Sequence, residues 1–235
     1  MQIAVATYNV HGCIGNDRMC SPLRTAGILT ELQCDVIALQ EVDNHPREAL
    51  EYLPLDFLAT HTGLKPISGL RAIRHRAAYG NAILTRLNVL SVQLHDLTVL
   101  KHEPRGAIDV LLEQDGECVR VIATHLGLNG AERKAQIRML MQEIEPFLHQ
   151  TPVVLLGDFN EWHPRARNLD PLREQFGGHP AIASFPSWAP FLALDRIWVH
   201  PADALIETAS VRKPKTRHAS DHLPIRAVLS IGESR

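Results

Sequence analysis

The stretch Pro152-Val153-Val154-Leu155-Leu156-Gly157-Asp158-Phe159-Asn160 carries the reading that decides the fold. Four apolar residues in a row, β-branched at the front, predict a short strand buried on both faces, because a strand with one wet face alternates instead. The run stops at Gly157 and delivers Asp158 and Asn160 at its carboxyl end. Residues i and i+2 of a strand point to one side, so an extended end aims carboxylate and carboxamide at one spot. Crevices at the carboxyl ends of strands are where α/β proteins tend to hold ligands. The plain alternative is a turn, since Gly-Asp and Asn are good turn formers.

Outward from this strand, the chain has 235 residues, 45% of them hydrophobic and 21% charged, an ordinary globular balance. No apolar run approaches the roughly 20 residues a membrane-spanning helix needs, and Met1 to Val10 lack the pattern of a signal peptide. The cysteines, Cys13, Cys20, Cys34 and Cys118, form no CxxC pair. They read as free thiols in a reducing compartment, with Cys34 and Cys118 in the core, and the expected location is cytoplasmic. A net charge of −2 argues against a protein that coats nucleic acid non-specifically. No motif points to a protein partner.

Alternation predicts a strand over Gln2–Val10, ending at Asn9, then a loop over His11–Cys20. Ser21-Pro22 reads as a cap followed by proline at the first helical position, opening a helix to Leu32. Asp35–Gln40 reads as a second buried strand with Glu41 at its end. A short helix near Pro46–Tyr52, a strand near Asp56–Thr60 and a long polar loop over His61–Ala78 follow. Strands are expected over Tyr79–Thr85, Val89–Leu97, Arg105–Gln114 and Cys118–Leu126, with Asp115-Gly116 as a hairpin turn. Gly130–His149 is amphipathic and predicts a helix. Beyond the opening strand come a short helix around Leu169–Phe176 and strands over Leu194–Val199, Ala204–Val211 and Leu223–Ser230. Without repeats or linkers, one domain over residues 1–235 is the simplest organisation. Strands grouped in hairpins suit an α/β (α+β) fold of two sheets packed face to face with helices outside.

Several strands end in a polar residue that the strand itself does not need: Asn9, Glu41, His125, Asp158 with Asn160, Asp195, and Asp221-His222 before the last strand. Carboxylates and carboxamides without thiolates are ligands for a hard divalent cation such as Mg²⁺ or Mn²⁺. Asp195 and His222 are candidates for a carboxylate–imidazole pair, although spacing alone does not bring them together. His125 and Arg105 could bind the non-bridging oxygens of a phosphate. Metal, base and oxyanion clamp together describe phosphate-ester hydrolysis.

The pieces TYNVHG (Thr7–Gly12), LQEV (Leu39–Val42), GNAILTR (Gly80–Arg86), EPRG (Glu103–Gly106), THLGL (Thr124–Leu128), GDFN (Gly157–Asn160), LDRIWV (Leu194–Val199) and SDHLP (Ser220–Pro224) occur in this order along nearly the whole chain. Together they resemble the endonuclease/exonuclease/phosphatase superfamily, relatives of pancreatic deoxyribonuclease. The ERxxQ run after THLGL (Glu132–Gln136) resembles a compact bacterial branch of it. The resemblance implies a four-layer α/β sandwich of two mixed β-sheets. It also implies a metal site of Glu41, Asn9 and Asp221, with Asp158 on the attacking water and Asn160 on the phosphate. His222, paired with Asp195, would be base or phosphate stabiliser. His125 matches the deoxyribonuclease-like branch, whereas the apurinic endonuclease branch has tyrosine there. The implied reaction is in-line attack of water on phosphorus.

The first functional reading is therefore a Mg²⁺- or Mn²⁺-dependent phosphodiesterase acting on nucleic acid or a phospholipid-type headgroup. The alternative is a phosphomonoesterase on a small or inositol-like phosphate. A non-catalytic binding module with the same fold predicts losses among the site residues, yet all are present. Among the remaining residues, His11 and His218 read as structural or solvated, and Arg133 with Gln136 as a solvated helix face or, alternatively, as a phosphate or loop anchor. Trp162, Trp188 and Phe191 read as core or as an aromatic rim. Two basic runs, Lys65–Arg76 and Arg212–Arg217, read as solvated loops able to gather a polyanion.

Overall fold

The computed structural model describes residues 1–46, 53–74, 77–163 and 165–232. Eleven strands fall into two sheets. The first has the order β10-β11-β1-β2-β4-β3 and the second β5-β6-β7-β8-β9. In chain order these are β1 (Gln2–Asn9), β2 (Val36–Asp43), β3 (Lys65–Arg74), β4 (Ala77–Thr85), β5 (Asn88–Asp96), β6 (Gly106–Gln114), β7 (Glu117–His125), β8 (Val153–Asp158), β9 (Asp195–His200), β10 (Leu205–Ser210) and β11 (Ile225–Ser230). The helices are α1 (Pro22–Leu32), α2 (Pro54–Thr62), α3 (Gly130–Ile144), α4 (Asp170–Phe176) and α5 (Pro214–Ala219). Each sheet is antiparallel except for one pair. β1 and β2 run parallel with α1 as their crossover, and β7 and β8 run parallel with α3 between them.

The apolar run of β8 is continuous because both of its faces are covered. Val154 and Leu156 enter the core between the sheets with Val5, Ile83, Val110, Val121 and Leu229. Val153 and Leu155 face the opposite way, onto Ile137, Leu140 and Ile144 of α3 and Phe176 of α4. On the far side of the first sheet, Ala6, Tyr8, Ile37 and Leu39 bury against Ile28 and Leu29 of α1 and Leu58 of α2. Helix, sheet, sheet, helix: the four expected layers are present.

Gly157 keeps β8 close to β7. Its φ is +150°, and an added Cβ would lie 1.9 Å from the Thr124 carbonyl oxygen, a backbone atom held by the β7–β8 ladder. Gly157→Ala should therefore cost on the order of 3 kcal/mol, at the upper end of overpacking losses. A urea midpoint equal to wild type would refute this tight approach.

Three sequence expectations change. Residues 56–60 form not a strand but part of α2. Pro54 opens the helix, Gly63 closes it at φ 69°, and Leu55, Leu58 and Ala59 supply the i, i+3, i+4 face that is buried. The loop expected over 61–78 contains β3, whose pairing with β4 runs from Lys65↔Thr85 to Arg74↔Ala77. A lysine- and arginine-bearing edge strand hides its strand character, because the charges that keep an edge soluble interrupt the apolar alternation. The basic run near Arg217 is likewise partly helical, as α5. Smaller differences are a 3₁₀ turn from Glu145 that takes over from α3, with Pro146 in it, and a half-buried Cys118 beside a buried Cys34. The short helix expected near Pro46–Tyr52 lies, beyond Pro46, outside the described residues. Among the described residues no helix is long and apolar enough to cross a membrane.

Candidate active site

The two parallel pairs, one in each sheet, point their carboxyl ends at the same place. Asn9 at the end of β1 pairs in register with Gln40, and His125 at the end of β7 with Asp158. Glu41 follows on a β-bulge between Leu39 and Val42, with φ 57°. Such a bulge re-aims a side chain out of the pleat.

The Asn9 carboxamide joins the sheets. Its Oδ1 accepts from His11 N at 3.1 Å, and its Nδ2 lies 3.0 Å from Glu41 Oε1 and 3.1 Å from Asp158 Oδ2. Asp158 Oδ1 accepts from Asn160 N at 2.9 Å, which bends the chain into the left-handed conformation of Asn160 (φ 51°). The other oxygen, Oδ2, lies 3.6 Å from His125 Nε2 and 3.7 Å from His222 Nε2.

Asp195 and His222, separated in sequence, meet here: His222 Nδ1 is 2.7 Å from Asp195 Oδ2, and Ser184 Oγ donates to the same oxygen. Burial alone would lower the affinity of His222 for its second proton. The charges of Asp195, Asp158 and Asp221, with the Asp195 hydrogen bond, outweigh it and push the imidazole up to about 10. The ring is thus an imidazolium at neutral pH, held on one edge and facing Asp158 on the other.

His125 is set differently. Arg105 Nη1 lies 3.0 Å from His125 Nδ1, while Arg105 Nη2 donates to Glu103 Oε2 at 3.0 Å. A guanidinium and a carboxamide nitrogen only donate, so both ring nitrogens of His125 face donors, Nδ1 facing Arg105 and Nε2 facing Asn160. Asn160 Nδ2 is 3.0 Å from that Nε2 and donates to Leu126 O at 2.8 Å. Arg105, expected to help bind the non-bridging oxygens of a phosphate, lines the cleft and directs Nη1 at His125 and Nη2 at Glu103.

Asp221 completes the first-sheet side. Ser220 Oγ donates to Asn9 O at 2.7 Å and lies 3.2 Å from Asp221 Oδ1, and His11 Nδ1 is 3.7 Å from that oxygen. Between the sheet ends lies a cleft of about 260 Å³ whose lining includes Glu41, Arg105, His125, Asp158, Asn160 and His222. Leu128 and Trp162 at its rim are 72% and 59% exposed, so Trp162 is rim rather than core. Trp188 and Phe191 are also exposed, on the loop pinned by the Phe185–Leu192 bridge.

Two groupings could hold a cation. Asp158, Asp195 and His222 offer atoms within 4.8 Å of one another, with His222 Nδ1 already engaged by Asp195. The other grouping is that of Glu41, which lines the cleft, with Asp221, whose side chain is 37% exposed; Asn9 lies beside them but turns its Nδ2 to Glu41 and its Oδ1 to His11 N. Hard oxygens on partly hydrated carboxylates suit a divalent ion that keeps several waters.

Sequence reasoning missed Ser184, Ser220, Glu103 and Glu161, whose types carry no signal of their own. On α3, Arg133 and Gln136, read first as a solvated face and alternatively as an anchor, are 7% and 0% exposed and hold the backbone of Gly127 and Leu128. Their spacing from Ile137 and Leu140 puts them on the inner face, and the hydrophobic periodicity could have shown this.

The second basic run is partly tied down, since Lys213 and Lys215 reach Glu31 of α1 at 3.4 and 2.7 Å; in the first, Arg76 lies outside the described residues.

Residues 6–222 match the model of the Endonuclease/Exonuclease/phosphatase family. The YbhP protein of Escherichia coli strain K12 is 32% identical over 248 residues, covering 97% of this chain and 96% of the relative. An endonuclease/exonuclease/phosphatase structure from Bacteroides vulgatus superposes with a TM-score of 0.80 at 17% identity, over 99% of this chain and 100% of that one. The human Nocturnin catalytic domain, solved with a bound sulfate anion, superposes with a TM-score of 0.73 at 19% identity, over 98% and 95%. With the family match spanning nearly the whole chain, this protein belongs to the endonuclease/exonuclease/phosphatase family, whose members are generally metal-dependent phosphoesterases.

Proposed function

We propose that this protein hydrolyses a phosphodiester, in nucleic acid or a phospholipid-type headgroup, by in-line attack of water. The observation that carries the reading is that Glu41, His125, Asp158, Asn160 and His222 line one cleft from both sheets, with Asn9 bonded to Glu41 and Asp158 and Asp195 bonded to His222 behind them. In this reading Asp158 orients the attacking water and draws off its proton through Oδ2. His222, kept charged by Asp195, donates from Nε2 to a phosphate oxygen as negative charge builds there. Asn160 holds a second phosphate oxygen, and His125 supports the departing one. Glu41, Asn9 and Asp221 would hold Mg²⁺ or Mn²⁺, which when bound supplies Lewis-acid polarisation of the phosphate.

The charge balance favours a diester over a monoester. The cleft is rich in carboxylates, and the Arg105 guanidinium is already paired with Glu103. A singly charged diester asks less of such a site than a dianionic monoester. The bound sulfate of the Nocturnin domain is that protein's own, but a tetrahedral anion in a similar fold is consistent with the reading.

The test is hydrolysis of a chromogenic phosphodiester beside the matching monoester, with Mg²⁺, with Mn²⁺ and with chelator. We expect diester cleavage that chelator abolishes and that either ion restores. Cleavage of the monoester alone would transfer the reading to a phosphomonoesterase on a small phosphate. Full activity in chelator would end the metal-dependent reading.

A further inference from the structure

Arg133 and Glu161 form an ion pair sealed from solvent. Arg133 Nε and Nη2 each lie 3.2 Å from Glu161 Oε2, and the two side chains are 8% and 6% exposed. Neither residue lines the cleft. A buried ion pair contributes little net stability, because desolvation of both charges offsets their attraction. Its value here lies in what it fastens.

Arg133 Nη1 donates to Leu128 O at 2.6 Å and to Gly127 O at 3.3 Å, so α3 grips the loop that leaves β7 just after His125. Gln136, one turn further along α3, accepts from Gly127 N through Oε1 at 2.8 Å. The carbonyl of Leu126, the preceding residue, takes the Asn160 side-chain amide at 2.8 Å. Glu161 follows Asn160 in the chain and is itself held by Asn168 Nδ2 at 3.3 Å. Asn160 has a left-handed backbone (φ 51°), a conformation a non-glycine residue keeps only where its surroundings over-determine it. The loop after β7 and the loop after β8 are thus bolted to one helix through one pair of charges.

We propose that Arg133 and Glu161 are positioning residues. Through the ion pair and the carbonyls of Gly127 and Leu128, they set the Asn160 carboxamide against His125, without touching substrate themselves. This rests on the reading that Asn160 holds a phosphate oxygen during hydrolysis.

The deciding variant is R133M/E161Q, which removes both charges and so leaves neither buried alone. Two readouts are taken on folded protein: kcat and KM for the phosphodiester, and the ¹⁵N resonance of the Asn160 side-chain amide, assigned by its disappearance in Asn160→Asp. We expect kcat to fall by about tenfold to a hundredfold with KM within about threefold, since small misplacement of a positioned group acts on the transition state. The Asn160 amide should shift and exchange faster with solvent, and Arg133→Lys should recover part of kcat.

An unmoved amide overturns the proposal, even where activity is lost, and so does a moved amide with wild-type kcat. If wild-type protein hydrolyses no phosphate ester, the hydrolase reading falls separately, and the amide alone decides whether the pair positions Asn160.

Discussion

Asp158→Asn should fold as wild type does and lose about 10²–10⁴-fold in kcat, the range for removing a group that moves a proton in the rate-limiting step. The carboxylate sits where the Asn9 amide, His125 Nε2 and His222 Nε2 converge, at 3.1, 3.6 and 3.7 Å. An asparagine occupies the same volume and can still accept from Asn160 N, but cannot take a proton from water. Single-turnover kinetics on the diester, alongside a thermal melt, separate the two effects. Turnover within twofold of wild type would remove Asp158 from the reaction.

His222→Ala should fail twice, in activity and in stability. Turnover is expected to drop about 10²–10⁴-fold, because the charged donor facing Asp158 is gone. The fold also suffers. Asp195 is 1% exposed, and its Oδ1 has no hydrogen-bond partner. Without His222 that carboxylate is a buried charge lacking its counter-ion, and breaking a buried pair in this way costs about 3–5 kcal/mol. The double change Asp195→Asn/His222→Ala distinguishes the causes. Removing the orphan charge should return much of the stability while turnover stays low. If instead the double variant melts as low as the single one, burial of charge is not what His222 offsets.

Much of the fold was legible because burial writes itself into sequence. The uninterrupted Val153–Leu156 run announced a strand covered on both faces, and Ser21-Pro22 announced α1 through a cap that is present, Ser21 Oγ accepting from Arg24 N. What misled was chemistry that serves an edge or an end. Lys65 through Arg74 reads as a loop because its charges prevent unwanted strand pairing, and α2 is too short for its period to outweigh its β-prone residues. In the site, polar residues at strand ends were visible one by one. That Asp195 meets His222, or that Asn9 reaches Asp158, belongs to pairings between sheets that no local pattern encodes. Glu161 was invisible for the same reason, looking like an ordinary surface charge, whereas Arg133 could be raised as a loop anchor but not matched to its partner.

The carboxamide of Asn9 that spans the two sheets also bears on how the protein is made. Asn9 and Asp158 lie 149 residues apart in sequence, and His222 arrives near the end of the chain. Neither sheet alone contains the whole cleft, so on the hydrolase reading a chain gains hydrolytic capacity only once strands of both sheets have docked. Closing such long loops is slow compared with forming helices. On that reading, nascent or half-folded molecules are harmless to whatever phosphate esters surround them.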